Sequence, residues 1–396
     1  MAAAALFALL GSIYLWTRFR KFSIVRRLSD GKKWASVLLP ALPVGLLIVY
    51  GRVDAVNAVI VGLHLAIFWM ICDALGWTIG RTRGTIAGRK RKKSLRGGSL
   101  QEQKPGMPRE DQGILPGVSR IYWQGILALT VTAVYLGIGL YLDYNVWETD
   151  YSIFTQKDLG METLRIVQIS DSHLGTTFGG EGFAKHLKRI QETKPDLVVL
   201  TGDYVDDDST REDMVRSCSA LGKMKTTYGV YFVFGNHDEG YFHHRDFTGQ
   251  EMVEELEKNG VRVLEDETVR ITDRISLTGR KDRSDPGRLS AARLMEVVDP
   301  SCYNILLDHQ PHDFENEAEA GFDLVLCGHT HGGQMFPIGI TGELSGANDK
   351  TYGLEKRKNT VFIVNSGISD WAIKFKTATR SEYGVIDVQH VPGSME

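Results

Sequence analysis

Gly328-His329-Thr330-His331-Gly332-Gly333-Gln334 directly follows an apolar run, Phe322-Asp323-Leu324-Val325-Leu326-Cys327, that reads as a buried strand. In extended backbone, side chains at i and i+2 point to one side, so the two imidazoles share a face. The flanking glycines permit a sharp turn and a close approach to a ligand. Imidazole is the commonest metal-binding side chain. Taken alone, a His-Thr-His loop is more often a solvated turn than a metal site.

The same chemistry recurs upstream. Leu164–Ile169 runs into Ser170-Asp171-Ser172-His173, and Leu197–Leu200 runs into Thr201-Gly202-Asp203. Val230–Phe234 leads to Gly235-Asn236-His237-Asp238-Glu239, and Tyr303–Leu307 delivers Asp308-His309-Gln310-Pro311. Five strands that each end in Asp, Asn or His predict a metal cluster along one sheet edge. A nitrogen and oxygen donor set without thiolate suits Mn, Fe, Zn or Ni rather than Ca or a structural zinc.

This order of motifs, Asp-x-His, Gly-Asp, Gly-Asn-His-Asp, His and Gly-His-x-His over residues 164–331, resembles the calcineurin-like metallophosphoesterases. The resemblance implies an α/β fold of two facing mixed sheets flanked by helices, with the site at the strand ends. It implies Asp171, His173 and His331 as ligands of one divalent metal ion, Asn236, His309 and His329 as ligands of a second, and Asp203 as the bridge. His237 takes the place of the family's non-ligand histidine, which stabilises the transition state or protonates the leaving oxygen. Asp238 is expected to orient it. The implied reaction is hydrolysis of a phosphate ester or pyrophosphate by a metal-bridging hydroxide, because two ions about 3.5–4 Å apart both acidify water and clamp the phosphoryl oxygens.

Other polar residues read more plainly. Asp206-Asp207-Asp208 is a solvated turn, and His243 and His244 belong to a surface loop beside His237. His312 has no assigned partner, and His186 and His390 are surface residues. Gly332-Gly333-Gln334 and Asn365-Ser366-Gly367 are loops expected to touch substrate or to order the ligands. Helix-compatible spacing covers Phe183–Glu192, Arg211–Lys223, Gln250–Lys258 and Arg288–Glu296. Further strands are predicted at Val261–Val263, Ile275–Gly279, Val361–Val364 and Tyr383–Val388, after a short linker around Tyr151–Glu162. Alternating strands and helices give the α/β class. Cys72, Cys218, Cys302 and Cys327 show no paired spacing and read as buried thiols.

Charge divides the chain of 396 residues, whose net value is −3. Residues 1–149 hold 19 Lys+Arg against 8 Asp+Glu, and the remainder holds 27 against 41. The acidic remainder, residues 150–396, argues against a nucleic-acid partner, which would require Lys/Arg faces.

The first 149 residues read as a helical membrane anchor, with spans near 2–17, 34–50, 55–77 and 121–142. No basic region precedes the first apolar run, which disfavours a cleaved signal peptide. Tyr122 and Trp123 at one end of the last span, and Tyr141, Tyr144 and Trp147 at the other, are interfacial aromatics. The basic loop 80–120, centred on Arg89-Lys90-Arg91-Lys92-Lys93, obeys the positive-inside rule. Counting crossings from it puts the catalytic domain of this cell-membrane protein on the exoplasmic side. The arrangement is similar to bacterial transmembrane metallophosphoesterases. A tethered site suggests a phosphate-containing substrate that is lipid or lipid-linked, such as an acylated UDP-sugar, and contact with membrane lipids. The alternatives are soluble phosphomonoesters or diesters, or a non-catalytic metal-binding scaffold.

Overall fold

Every residue of Leu197–Thr201, Ile275–Gly279, Tyr303–Leu307 and Leu324–Cys327 is buried. Strands covered on both faces read as continuous apolar runs, and two layers of packing account for these. The computed structural model describes residues 2–97, 121–241, 244–337 and 339–392. The chain falls into two units that divide between Leu136 and Gly137.

The first unit is helical: α1 (Ala2–Phe19), α2 (Ser23–Leu28), α3 (Ala35–Tyr50), α4 (Ala55–Gly97) and the start of α5 (Trp123–Tyr144). Two stretches, Ala55–Ile86 and Trp123–Tyr144, are long and apolar enough to cross a membrane. Inside the unit Asp73 accepts from Tyr14 at 3.1 Å and from Tyr122 at 3.2 Å, and it pairs with Arg18 at 2.9 Å. That satisfies a carboxylate that apolar surroundings would otherwise reject. The third span was expected to stop at Trp77, with a loop from residue 80. Instead α4 continues to Gly97, because Arg and Lys are good helix formers and an existing helix needs no new nucleus. The rest of the expected loop, residues 98–120, lies outside the described residues.

In the second unit only Asn145 separates α5 from β1 (Val146–Thr155), which pairs in parallel with β12 (Ser381–His390) over its whole length. The linker expected around Tyr151–Glu162 is therefore strand as far as Thr155. Val146 and Ile153 are each buried in a core, and this packing outweighs the polar residues between them.

Between β1 and β12 the order is β2 (Thr163–Ile169), α6 (Gly180–Glu192), β3 (Leu197–Thr201), α7 (Arg211–Leu221), β4 (Val230–Val233), α8 (Gly249–Lys258) and β5 (Val261–Val263). Then come β6 (Glu267–Thr272), β7 (Ile275–Gly279), α9 (Ala291–Met295), β8 (Tyr303–Leu307), α10 (Phe314–Ala320), β9 (Leu324–Cys327), α11 (Gly339–Ser345), β10 (Gly353–Arg357) and β11 (Thr360–Val364). Helix α9 is shorter than the Arg288–Glu296 expected, since Ser290 caps it by accepting from the Arg293 amide.

Two six-stranded mixed sheets result, in the orders β1-β12-β2-β3-β4-β5 and β10-β11-β9-β8-β7-β6. Alternate residues of one strand serve different cores. In β3, Leu197 and Val199 join Ile166, Leu277, Ile305 and Leu326 in one core, while Val198 and Leu200 pack with Phe183, Met214 and Met252 of α6–α8. In β9, Val325 and Cys327 face Leu294 and Phe314 of α9 and α10. β2, β3 and β4 run parallel, as do β8 and β9. Their C-terminal ends deliver the loops of interest. All four cysteines are free and buried, as expected.

Candidate metal centre

Backbone hydrogen bonds tie the loops together. The Asp171 amide donates to Gly202 O at 3.0 Å, His173 to Asp203 O at 3.1 Å, and Gly328 to His309 O at 2.9 Å. Asp171, His173, Asp203, His329 and His331 all have positive φ, at 52°, 35°, 52°, 71° and 49°. L-residues rarely adopt this left-handed region, at a cost of order 1–3 kcal/mol each, and such strain concentrates at functional sites. Only residues kept for their side chains explain five of them in one place.

Three groups form. Asp171, His173 and His331 bring one donor atom each within 4.8 Å of the others, as do Asp203, His309 and His329, and His173, Asp206 and His237. His309 Nε2 lies 3.1 Å from Asp203 Oδ2 and His331 Nε2 lies 3.7 Å from Asp171 Oδ1. The rings of His309 and His329 are 5.1 Å apart, and those of His173 and His331 5.0 Å.

Hydrogen bonding leaves the inward atoms unsatisfied. His173 Nε2, Asn236 Oδ1, His309 Nε2 and His329 Nδ1 are buried without a hydrogen-bond partner. Buried polar atoms are nearly always satisfied, so four together mark a place for cations. Their outer atoms are held: His309 Nδ1 sits 2.7 Å from Thr201 O, His173 Nδ1 3.1 Å from Asp206 Oδ2, and Asn236 Nδ2 donates to the Tyr241 hydroxyl at 2.7 Å. Such outer bonds fix the tautomer and aim of a ligating imidazole. Burial and then the neighbouring His309 hold His329 down at about 4. The residues fit divalent metal ions.

His237 stands beside these groups, with its ring 4.9 Å from that of His173. Its Nδ1 lies 3.2 Å from Asp206 Oδ1. Burial pushes this imidazole down, but the Asp206 hydrogen bond and the Asp203, Asp206 and Asp238 charges more than offset it and raise it above the ordinary value. Asp238 does not orient His237, contrary to expectation. Its carboxylate accepts from the amides of Asp203 at 2.8 Å, Tyr204 at 2.8 Å and Gly235 at 2.7 Å. It positions the backbone that carries Asp203, and burial beside Asp203 lifts it to about 7.

Asp206 is thus the residue that the sequence reading passed over. It grips both His173 and His237, and only its place three residues beyond Asp203 could have signalled that. Asp370 and Lys376 were also missed. They are wholly buried and paired at 2.9 Å, with Asp370 Oδ1 3.4 Å from His331 Nδ1. Trp371 and Tyr241 flank the His237 ring at 5.5 and 4.9 Å.

The loop Asn365-Ser366-Gly367 lies against Asp171. Gly367 has φ +83°, and a Cβ there would stand 2.9 Å from that of Asp171. His390 Nδ1 meets Lys157 O at 2.9 Å, His312 Nδ1 meets Gln310 O at 3.2 Å, and His186 packs on Phe178. His243 lies outside the described residues.

Residues 164–333 match the calcineurin-like phosphoesterase family. The chain is 33% identical over 279 residues to a transmembrane protein with metallophosphoesterase domain from Danio rerio, covering 65% of this chain and 61% of that protein. It is 35% identical over 219 residues to an uncharacterized metallophosphoesterase of Aquifex aeolicus, covering 53% and 79%. Against a solved dimetal phosphatase from Danio rerio, identity is 9% and the TM-score 0.36, with 52% of this chain and 88% of that one covered, a likeness too slight to add to these. The match thus spans about three-fifths of the Danio rerio transmembrane relative. By its motifs and its Aquifex aeolicus relative, the chain belongs to the calcineurin-like metallophosphoesterases.

Proposed function

We propose that this chain is a membrane-anchored phosphoesterase that uses two divalent metal ions to hydrolyse phosphate ester or pyrophosphate bonds. The observation that carries this reading is the approach of His309 Nε2 and His173 Nε2 to the Asp203 carboxylate, at 3.1 and 3.6 Å, with His329 grouped with Asp203 and His309 and with Asn236 Oδ1 and His329 Nδ1 likewise buried without a partner. Asp171, His173 and His331 would hold one ion and Asn236, His309 and His329 the other, with Asp203 common to both sets. When bound, the ions supply positive charge to the phosphoryl oxygens and acidify the attacking water. His237 keeps Nδ1–H on Asp206, which leaves Nε2–H to donate a proton to the departing oxygen. Asp206 stabilises the imidazolium form and fixes the ring. Asp238 keeps the Asp203 loop in place.

The helix α5 is apolar enough to span a membrane and runs into β1 with one residue between, which keeps the site close to a bilayer. That favours a lipid or lipid-linked phosphate or pyrophosphate, such as an acylated UDP-sugar, on the exoplasmic side. Soluble phosphomonoesters and diesters are the competing substrates. The test removes metal from the full chain with chelator and assays bis(p-nitrophenyl) phosphate, p-nitrophenyl phosphate and lipid pyrophosphate in mixed micelles. Activity should vanish and return with Mn, Fe, Zn or Ni. Activity indifferent to chelation would refute the reaction, and a wide preference for a soluble monoester would refute the lipid substrate.

A further inference from the structure

Helix α11 turns its glycines to the domain: Gly339 packs on Gly333 and a Cβ on Gly342 would stand 2.7 Å from Asn348 Nδ2, while Glu343, itself exposed, reaches back so that its Oε1 accepts from the Thr351 amide at 2.6 Å. Thr351 Oγ1 also donates to Gly339 O at 3.0 Å. The apolar residues Ile340 and Leu344, one helical turn apart, face outward and are 51% and 81% exposed. No residue of α11 is buried. Phe336, just before it, is 60% exposed. A helix in water would instead turn its large apolar side chains toward the core.

The surroundings name the occupant. The Phe336 amide donates to Thr377 Oγ1 at 3.1 Å, and the Thr377 and Ala378 amides donate to Gln334 O at 2.8 and 3.1 Å. One residue earlier, the Lys376 amide donates to Gly139 O of α5 at 3.1 Å, and a Cβ on Gly139 would meet Phe375 and Thr377. Gly139 lies five residues before the end of α5, or about 7.5 Å at 1.5 Å per residue. The loop that carries Phe336 and α11 is therefore fastened to the last turns of a helix apolar enough to span a membrane. Tyr141 and Tyr144 stand on those turns and are exposed.

We infer that Ile340, Leu344 and Phe336 form a second membrane contact, in which α11 lies in the interfacial layer of the bilayer that α5 leaves. Apolar side chains there gain burial among acyl chains while Glu343 stays on the protein side. This seats the loop after His331 against the lipid, next to the metal centre. The inference rests on the anchored reading given above.

The test uses the full chain in phosphatidylcholine vesicles with Leu344→Cys carrying a nitroxide label. The four natural cysteines are buried, and Val297→Cys, at an exposed site outside α11, serves as the reference. Flotation of the protein with the vesicles reports anchoring by itself. Collisions of the Leu344 label with a water-soluble nickel chelate should fall several-fold below those at Val297, while collisions with oxygen rise. Flotation with equal nickel access at both sites overturns the second contact and leaves the anchor standing. Loss of both nickel and oxygen access, with cross-linking between chains, would make the face a chain-to-chain interface and also overturn it. Failure to float refutes the anchor and this contact together.

Discussion

Asp206 Oδ1 lies 3.2 Å from His237 Nδ1, while its other oxygen lies 3.1 Å from His173 Nδ1. One carboxylate thus aims the proposed metal ligand and the proposed general acid together. Asp206→Asn should lower kcat by roughly tenfold or more, with part of the metal affinity lost through His173, since such outer partners are worth about 10–100-fold. His237→Ala should retain metal while kcat falls by roughly 10²–10⁴. Metal analysis beside steady-state kinetics checks both, and loss of metal in His237→Ala would remove it from the acid role.

Lys376 and Asp370 pair at 2.9 Å with neither exposed, and Lys376 also donates to Ser366 O at 2.7 Å. Lys376→Met strands the Asp370 charge next to His331. Breaking such a buried pair costs about 3–5 kcal/mol, so the melting temperature should drop and metal should bind more weakly. Lys376→Met combined with Asp370→Asn should regain part of the stability, as measured by thermal unfolding.

Burial against Phe178, and then the charge of Arg189, hold His186 below its ordinary value. The folded chain therefore binds that proton less readily than the unfolded chain. The stabilisation is fully present above the unfolded value of about 6.5 and is lost as pH falls through the lower folded value. His186→Gln should make unfolding less pH-sensitive in that window, by under about 1 kcal/mol given the partial exposure. Denaturation curves at a series of pH values will show the difference between the two proteins.

The proposed topology follows from the Lys/Arg bias of the segment before α3 and of the C-terminal part of α4 with the residues after it. A reporter fused after Glu396 should behave as exoplasmic and one inserted near Gly98 as cytoplasmic. Protease accessibility in intact cells distinguishes the two faces, and a cytoplasmic signal at Glu396 would reverse the proposed orientation.

The placing of Asp171, Asp203, Asn236, His309 and His329 at strand ends was legible because they follow apolar runs that have to be buried on both faces. The edge strand β1 was not, since its Glu148, Thr149, Asp150 and Ser152 give little apolar periodicity and its pairing with β12 spans over two hundred residues of sequence. Asp206 was hidden by Asp207 and Asp208, which make the stretch read as a solvated turn. The acidic composition of Phe314–Ala320 likewise masked α10, whose buried apolar residues are Phe314 and Ala318. Asp370 and Lys376 sit in a loop with no period, and only tertiary packing brings them to His331.

Metal stoichiometry tests the central claim most directly. Elemental analysis of the full chain saturated with each candidate ion should give two ions per chain, because the seven proposed donors divide into two sets that share Asp203. Asp203→Ala, verified as folded by circular dichroism, should lose both. A folded Asp203→Ala protein that keeps two ions, or a saturated native chain that binds none, would contradict the account.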